Sequence, residues 1–272
     1  MSHDQERRIG ERAVAFIDLL GFRSHVRNDT EGALEPIRNY NGWASDYLGD
    51  VERGELAADI EYLLPMSDSI FFVARDCDRL VLQLASFLND CCMFDAHIEN
   101  SPDDWPRALF RGGLGYGECL TIGQIGIHKG KRSNSPSCNL LGPAVLDAVR
   151  AEQQGKKGPR LFCSREFVTR LSSSKHLVFE SGSTIEVLWP CVSMIDRGKV
   201  DRGKLFRYFD TAARFFEFYR GRECEEHYRQ FLRLIARCAA RGRDEETMEA
   251  LCARARDRGM DLQTDVRLVF DV

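Results

Sequence analysis

Residues 12–22 read Arg-Ala-Val-Ala-Phe-Ile-Asp-Leu-Leu-Gly-Phe. Residues 12–17 form a short, β-prone apolar run of the kind that becomes a buried strand. Asp18 ends that run and Gly21 follows, so a lone carboxylate stands where a strand gives way to a turn. Further along, residues 31–48 offer Leu34, Ile37, Trp43 and Tyr47 to one helical face, with Pro36 and Gly42 working against the helix. Residues 60–64 and 70–74 are two apolar runs separated by Pro-Met-Ser-Asp-Ser, the pattern of a hairpin with Asp68 at its turn. Residues 78–98 repeat apolar side chains at three- and four-residue steps, which predicts a helix with Asp78 as its cap. Residues 100–106 read as a loop, and 108–118 (ALFRGGLGYGE) as a strand whose glycines permit close backbone approach. Residues 123–137 read as a loop or irregular hairpin. Gly142-Pro143 opens a helix to about Gln154, and runs at 161–168 and 185–195 complete a mixed α/β pattern.

The chain has 272 residues, enough for one large domain or a domain with an extension. Its 43% apolar and 29% charged residues are a folded composition, not a disordered one. With 38 basic against 42 acidic side chains there is no bulk attraction to nucleic acid or to anionic membranes, so an anionic ligand must be met by a local site. The ten cysteines are dispersed, with one adjacent pair at Cys91-Cys92 and no C-x-x-C. That argues against a zinc site and for a reduced, cytosolic protein. The start, MSHDQERRIGER, lacks the apolar centre of a signal peptide, and no apolar run approaches the roughly 20 residues that span a bilayer. After the near-repeat DRGKVDRGK at 196–204 the pattern turns helical, with Phe206, Phe209, Ala213 and Phe216 and then Tyr228, Phe231, Leu232, Ile235 and Cys238 at helical spacing. The expected organisation is an α/β body over 1–200 and a helical extension over 201–272.

Asp18 and Asp68 stand out chemically. Two carboxylates at adjacent strand ends can jointly hold hard divalent cations, which prefer oxygen ligands and carry nucleotide phosphates with them. The backbone around Gly21 can present N–H groups to phosphate. The plainer alternative is that both acids serve surface turns. Arg150, two turns into the helix after Gly142, and Arg111, before the Gly-Gly of a strand, are cations able to neutralise charge on a transferring phosphoryl group, although helical arginines are usually solvated.

Taken in order, these segments resemble a class III nucleotide cyclase catalytic domain. Phe16-Ile-Asp18-Leu-Leu-Gly21-Phe22 is similar to the family's F-x-D-x-x-G-F, and Ser67-Asp68 to its second metal aspartate. Arg111-Gly-Gly-Leu-Gly-Tyr-Gly117-Glu118 echoes its R-x-G-x-x-x-G strand. Gly142-Pro-Ala-Val145-Leu146-Asp-Ala148-Val-Arg150-Ala-Glu152 aligns with its G-D-x-V-N-x-A-x-R-x-E helix. The resemblance covers about residues 12–194. It implies a ferredoxin-like α/β (α+β) core and a homodimer with active sites at the subunit interface. Asp18, Asp68 and the backbone of Ile17 would hold two divalent metal ions, Mn2+ or Mg2+. Arg150 of the other chain would stabilise the pentavalent phosphorus. Gly21, Phe22, Arg111 and one of Lys199 or Lys204 would contact the nucleoside triphosphate.

The departures narrow the substrate. At the two positions that read the base in purine cyclases, this chain has Leu64 and Asn139. Leucine cannot hydrogen-bond a base edge, while an asparagine amide offers both a donor and an acceptor and suits uracil or cytosine. The asparagine that orients the ribose is replaced by Leu146. Together these features are most similar to the pyrimidine cyclases of bacterial Pycsar antiphage defence. That resemblance implies conversion of UTP to 3′,5′-cyclic UMP, with cyclic CMP the close alternative, and a product that acts on a separate effector protein. A catalytically silent cyclase-like nucleotide- or protein-binding module is the rival from another class, favoured by the loss of the ribose asparagine. A purine cyclase with unfamiliar base contacts is the rival within the enzyme class.

Other features have plain readings. Cys224-Glu-Glu-His227 has C-x-x-H spacing without further ligands nearby. His97 reads as a helix-terminal residue, the phenylalanines at 206, 209 and 216 as core or dimer packing, and the arginines from Arg229 to Arg258 as a solvated face. Gly112, Gly115 and Gly117 lack the following helix of a dinucleotide fingerprint.

Overall fold

A computed structural model describes residues 6–22, 26–27, 30–32, 34–54, 59–93, 109–128, 131–154, 157–196, 198–242 and 244–260. The chain opens with β1 (Glu6–Leu19), α1 (Leu34–Glu52), the hairpin β2 (Ile60–Met66) and β3 (Ser69–Ala74), α2 (Cys77–Met93) and β4 (Phe110–His128). In the sheet these strands lie in the order β2-β3-β1-β4, with β1 antiparallel to both neighbours. A βαββαβ chain with that strand order is the ferredoxin-like core that the motifs imply. After it come β5 (Lys131–Leu141), α3 (Pro143–Glu152), β6 (Leu161–Cys163), α4 (Arg165–Thr169), β7 (Val178–Ser181), β8 (Thr184–Val187) and α5 (Cys191–Met194). β6, β8 and β7 extend the sheet beyond β4, and β6 pairs with β4 in parallel. A two-stranded ribbon of β9 (Ile195–Asp196) and β10 (Lys199–Val200) leads to α6 (Arg202–Phe218), α7 (Glu225–Arg241) and α8 (Glu245–Asp257).

Strand alternation divides β1 between two cores. Ala13, Ala15, Ile17 and Leu19 face a large core shared by α1, α2 and the helices α6–α8, whereas Val14 and Phe16 face a smaller one formed with Val145 and Ala148 of α3. The helices beyond residue 201 therefore close over the same apolar interior as the sheet. Trp189 is wholly buried there, donates from Nε1 to the Pro159 carbonyl at 2.7 Å and stacks on Phe231 of α7. Phe209 and Phe216 are buried and the partly buried Phe206 packs against the same core, so the phenylalanine series is core.

The glycines of β4 are there for α3. A Cβ on Gly113 would lie 1.9 Å from the Ala148 carbonyl oxygen, and one on Gly115 would lie 2.2 Å from that of Ala144. Only a bare backbone lets the helix settle this close to the strand.

Several expectations are corrected. Within the stretch 123–137, expected as a loop or irregular hairpin, residues 123–128 continue β4 and 131–137 belong to β5, and the two strands pair. The residue that caps α2 is Asp76, which accepts from the Arg79 N–H at 2.8 Å, and not Asp78. Asp78 instead accepts from the N–H groups of Ser172 and Ser174 and from the Ser172 hydroxyl; although burial opposes ionisation, these bonds hold its carboxyl well below the usual range. The run at 161–168 is a three-residue strand followed by α4, because Ser164 caps a helix there. Of the run at 185–195, residues 185–187 belong to β8, 191–194 to α5 and Ile195 to β9, and a further strand, β7, precedes it. The helix with Pro36 and Gly42 does form, with proline in its first turn where no intrahelical N–H bond is lost. His97, the loop at 100–106 and the expected end of α2 near Ile98 lie outside the described residues.

Candidate active site

Asp18 is the penultimate residue of β1, and Asp68 lies in the two-residue turn of the β2–β3 hairpin. Ser67 adopts φ +61° to make that turn. The Leu19 N–H donates to the Asp68 carbonyl at 2.9 Å, tying the turn to the end of β1. Asp18 stands opposite Ser69 on one side and Arg111 on the other, and directly opposed residues share a sheet face. The Ser69 hydroxyl donates to Asp18 Oδ1 at 3.0 Å. Arg111 donates from Nε to Glu152 Oε1 at 2.6 Å, and Glu152, the last residue of α3, is buried.

Burial pushes the Asp18 carboxyl up to about 6; the Ser69 hydroxyl and the Arg111 charge pull it down, and the negative charges of Glu152 and Asp68 raise it further. Ionised Asp18 is thus an anion short of positive charge. Among the described residues no group of three or more His, Cys, Asp and Glu side chains is arranged to hold a metal ion. The donor set here is two carboxylates. Oxygen ligands of this kind, on an under-compensated anion, fit a hard divalent cation.

The remaining candidates fall in different places. Leu64, on edge strand β2, pairs with Phe71 and so faces the same side as Phe16 and Asp18. Tyr62, Leu64, Phe16 and Phe71 are half-buried there, with the Phe16 and Phe71 rings 4.8 Å apart. Among the described residues α3 packs chiefly on β4 and β1, and on the β2–β3 part of this face Val73 is buried while Tyr62, Leu64 and Phe71 stay partly exposed. Arg150 and Leu146, one turn apart on α3, point outward with Leu146 57% exposed and the Arg150 side chain 75% exposed, its guanidinium 3.8 Å from Asp147. Within one chain, then, Arg150 is turned away from the sheet on which Asp18 lies. Asn139 is exposed on β5 opposite Ile122, eleven residues along β4 from Arg111, a separation of about 35 Å along the strand. The structure therefore unites Asp18, Asp68 and Arg111 and leaves Arg150 and Asn139 outside that cluster.

Gly21 sits in the turn after β1 with φ +77°, a conformation that favours glycine, while Phe22 packs against the main core. Ile17 is fully buried in the central strand. Lys199 is exposed on the β9–β10 ribbon, and Lys204 lies in the first turn of α6, 3.8 Å from Asp201. Among the described residues Cys224 and His227 belong to no group of three or more His, Cys, Asp and Glu side chains arranged to hold a metal ion. His227 Nδ1 accepts the Gly158 N–H at 3.2 Å, and burial, with Lys157 and Arg111 adding to it, holds the ring down to about 4. Cys77, Cys91, Cys92, Cys119, Cys163, Cys191, Cys224, Cys238 and Cys252 are free thiols, and all but Cys224 are buried. In the sequence Glu152 is only the tail of the α3 motif, and nothing local marks Ser69. The signal for both is their position around Asp18, which becomes visible only once strand register is known.

No protein-family model and no curated protein matches the chain, whereas solved structures do. A bacterial light-regulated adenylyl cyclase superposes with a TM-score of 0.50 at 16% identity over 68% of this chain and 52% of that one. The fold is that of the class III nucleotide cyclase catalytic domain. This chain spans about half the length of that light-regulated protein. The guanylyl cyclase Cya2 gives 0.48 at 16% identity over 67% of this chain and 92% of that one. A dimeric guanylyl cyclase domain of the RhoGC fusion protein from the aquatic fungus Blastocladiella emersonii gives 0.46 at 15% identity over 67% and 95%. Among the described residues, no helix of this cyclase fold is long and apolar enough to cross a membrane.

Proposed function

We propose that this chain is a metal-dependent nucleotide cyclase acting as a homodimer, and that its substrate is a pyrimidine nucleoside triphosphate, UTP ahead of CTP. The observation that carries this reading is the convergence of Asp18 and Asp68 at one end of a partly exposed sheet face, on the cyclase fold. Asp18 and Asp68, with the Ile17 carbonyl beside them, would hold two divalent metal ions. When bound, such ions lower the pKa of the ribose 3′-hydroxyl and neutralise the triphosphate. The ribose 3′-hydroxyl gives up its proton to solvent, its oxygen forms a bond to the α-phosphorus, the bond from that phosphorus to the bridging oxygen breaks, and pyrophosphate leaves with cyclic UMP as the other product.

The chain's own residues supply position and charge. Arg150 would stabilise the reacting phosphate of the partner's site and not its own, a reading supported by its exposed, outward position on α3. The partly exposed face of Tyr62, Leu64, Phe16 and Phe71, together with exposed Leu146, is apolar surface that a second copy would cover. Gly21, Phe22, Arg111 and one of Lys199 or Lys204 are assigned to the triphosphate. Leu64 and Asn139 are assigned to the base, where an apolar side chain and an amide suit a pyrimidine better than a purine pairing; with nine residues of β4, about 30 Å, between their register positions, the two would have to come from different chains of the dimer. On the resemblance to Pycsar cyclases, the cyclic nucleotide is the messenger of a cytoplasmic antiphage defence and acts on a separate effector.

Composite sites make a sharp test. Asp18→Ala and Arg150→Ala proteins should each be inactive, yet mixing them equally after subunit exchange should restore about a quarter of wild-type turnover, because half the dimers then hold one intact site of two. No recovery in demonstrably mixed dimers would contradict sites built from two chains.

A further inference from the structure

We propose that Glu152 is a positioning residue for the Asp18–Asp68 site, holding the Arg111 guanidinium against α3 so that it does not close on Asp18 and displace a divalent cation. The inference rests on the metal site proposed above and concerns Glu152, which binds neither metal nor nucleotide itself, and the state of Arg111 before nucleotide arrives. Arg111 and Asp18 are direct cross-strand partners on one sheet face, so their Cβ atoms lie roughly 5 Å apart and a guanidinium can span that gap. Instead Arg111 turns its Nε to Glu152 Oε1 at 2.6 Å, while Asp18 takes its hydrogen bond from Ser69. Glu152 is held in place by a close approach of α3 to β4: a Cβ on Gly113 would lie 2.4 Å from its backbone nitrogen.

Charge arithmetic shows what the pair accomplishes. Asp18, Asp68 and Glu152 carry three negative charges and Arg111 one positive, leaving a net −2 to receive a dication. Losing the Glu152 charge leaves −1 and releases an arginine beside the metal ligand. Losing both charges together restores −2 and leaves no buried ion unpaired.

The test is calorimetric titration of Mn2+ into the nucleotide-free 272-residue chain. Glu152→Gln is expected to weaken Mn2+ binding about tenfold at low salt, and the Arg111→Gln/Glu152→Gln double variant to return within about threefold of wild type by the same reckoning. A merely structural Glu152 would alter thermal stability and leave Mn2+ affinity unchanged, which would overturn the proposal. If the single variant fails to fold, the double variant carries the test: near wild-type affinity is the expected result, and strongly weakened binding overturns it. A wild-type protein that binds no Mn2+ overturns the metal reading itself, an outcome separate from wild-type binding with an indifferent Glu152→Gln.

Discussion

Asp18→Asn should abolish catalysis and at the same time make the protein more stable. Asparagine keeps a carbonyl oxygen for the Ser69 hydroxyl, now 3.0 Å from Oδ1, and fits the same volume, so the end of β1 has no reason to move. What is lost is a negative oxygen ligand, and if that ligand supplies several kcal/mol of charge stabilisation in the transition state, turnover falls by about 10³-fold. The gain in stability follows from the titration of Asp18. Its carboxyl lies at about 6 in the folded protein against 3.8 ordinarily, chiefly through burial, so the folded state binds more protons than the unfolded state between those values. Stability is therefore lost as pH rises through that window and stays lost above it. In Mn2+-free buffer at pH 7.5 the Asp18→Asn protein should melt a few degrees above wild type, and below about pH 4 the difference should vanish. Thermal melts across pH, paired with turnover assays, check both halves. An equally stable or less stable variant would mean that Asp18 is not the under-compensated anion described.

Glu186→Ala should have the largest effect on folding. Glu186 of β8 is 1% exposed and receives Arg160 at 2.6 Å through Nε and Arg237 of α7 at 3.2 Å through Nη1. Removing the carboxylate leaves two guanidinium groups in the interior without their counter-ion, a loss of about 3–5 kcal/mol. Against a total of about 5–15 kcal/mol for a folded domain, that approaches the whole margin. The expected result is a fall in midpoint temperature of roughly 10 °C or more, or failure to accumulate as folded protein. Because Arg237 belongs to the helical region and Glu186 to the sheet, the two parts should melt in one transition. A midpoint within about 2 °C of wild type would contradict a tightly coupled buried cluster.

What the sequence made legible was local. The apolar run ending at Asp18, the hairpin around Asp68 and the proline-opened α3 are each carried by neighbours within a few residues, and the structure has all three. The glycine ladder of β4 was readable as a site of close approach, though not that α3 was what approached. Features set by distant partners were not legible. Asp78 looked like a cap because its partners, Ser172 and Ser174, are almost a hundred residues away. β5 is polar, so its pairing with β4 shows in the backbone ladder and not in any apolar alternation. Glu152 gained meaning only when strand register set Arg111 opposite Asp18. His227, singled out for its spacing from Cys224, proved to be a buried acceptor for the Gly158 N–H.

The most direct measurement is product analysis by mass spectrometry after purified protein is incubated with Mn2+ and, separately, UTP, CTP, ATP and GTP. Cyclic UMP with pyrophosphate, formed from UTP in clear preference to the purine nucleotides, is the predicted result. Cyclic AMP or cyclic GMP as the main product would contradict the pyrimidine assignment of Leu64 and Asn139, and no cyclic product from any of the four would contradict the cyclase itself.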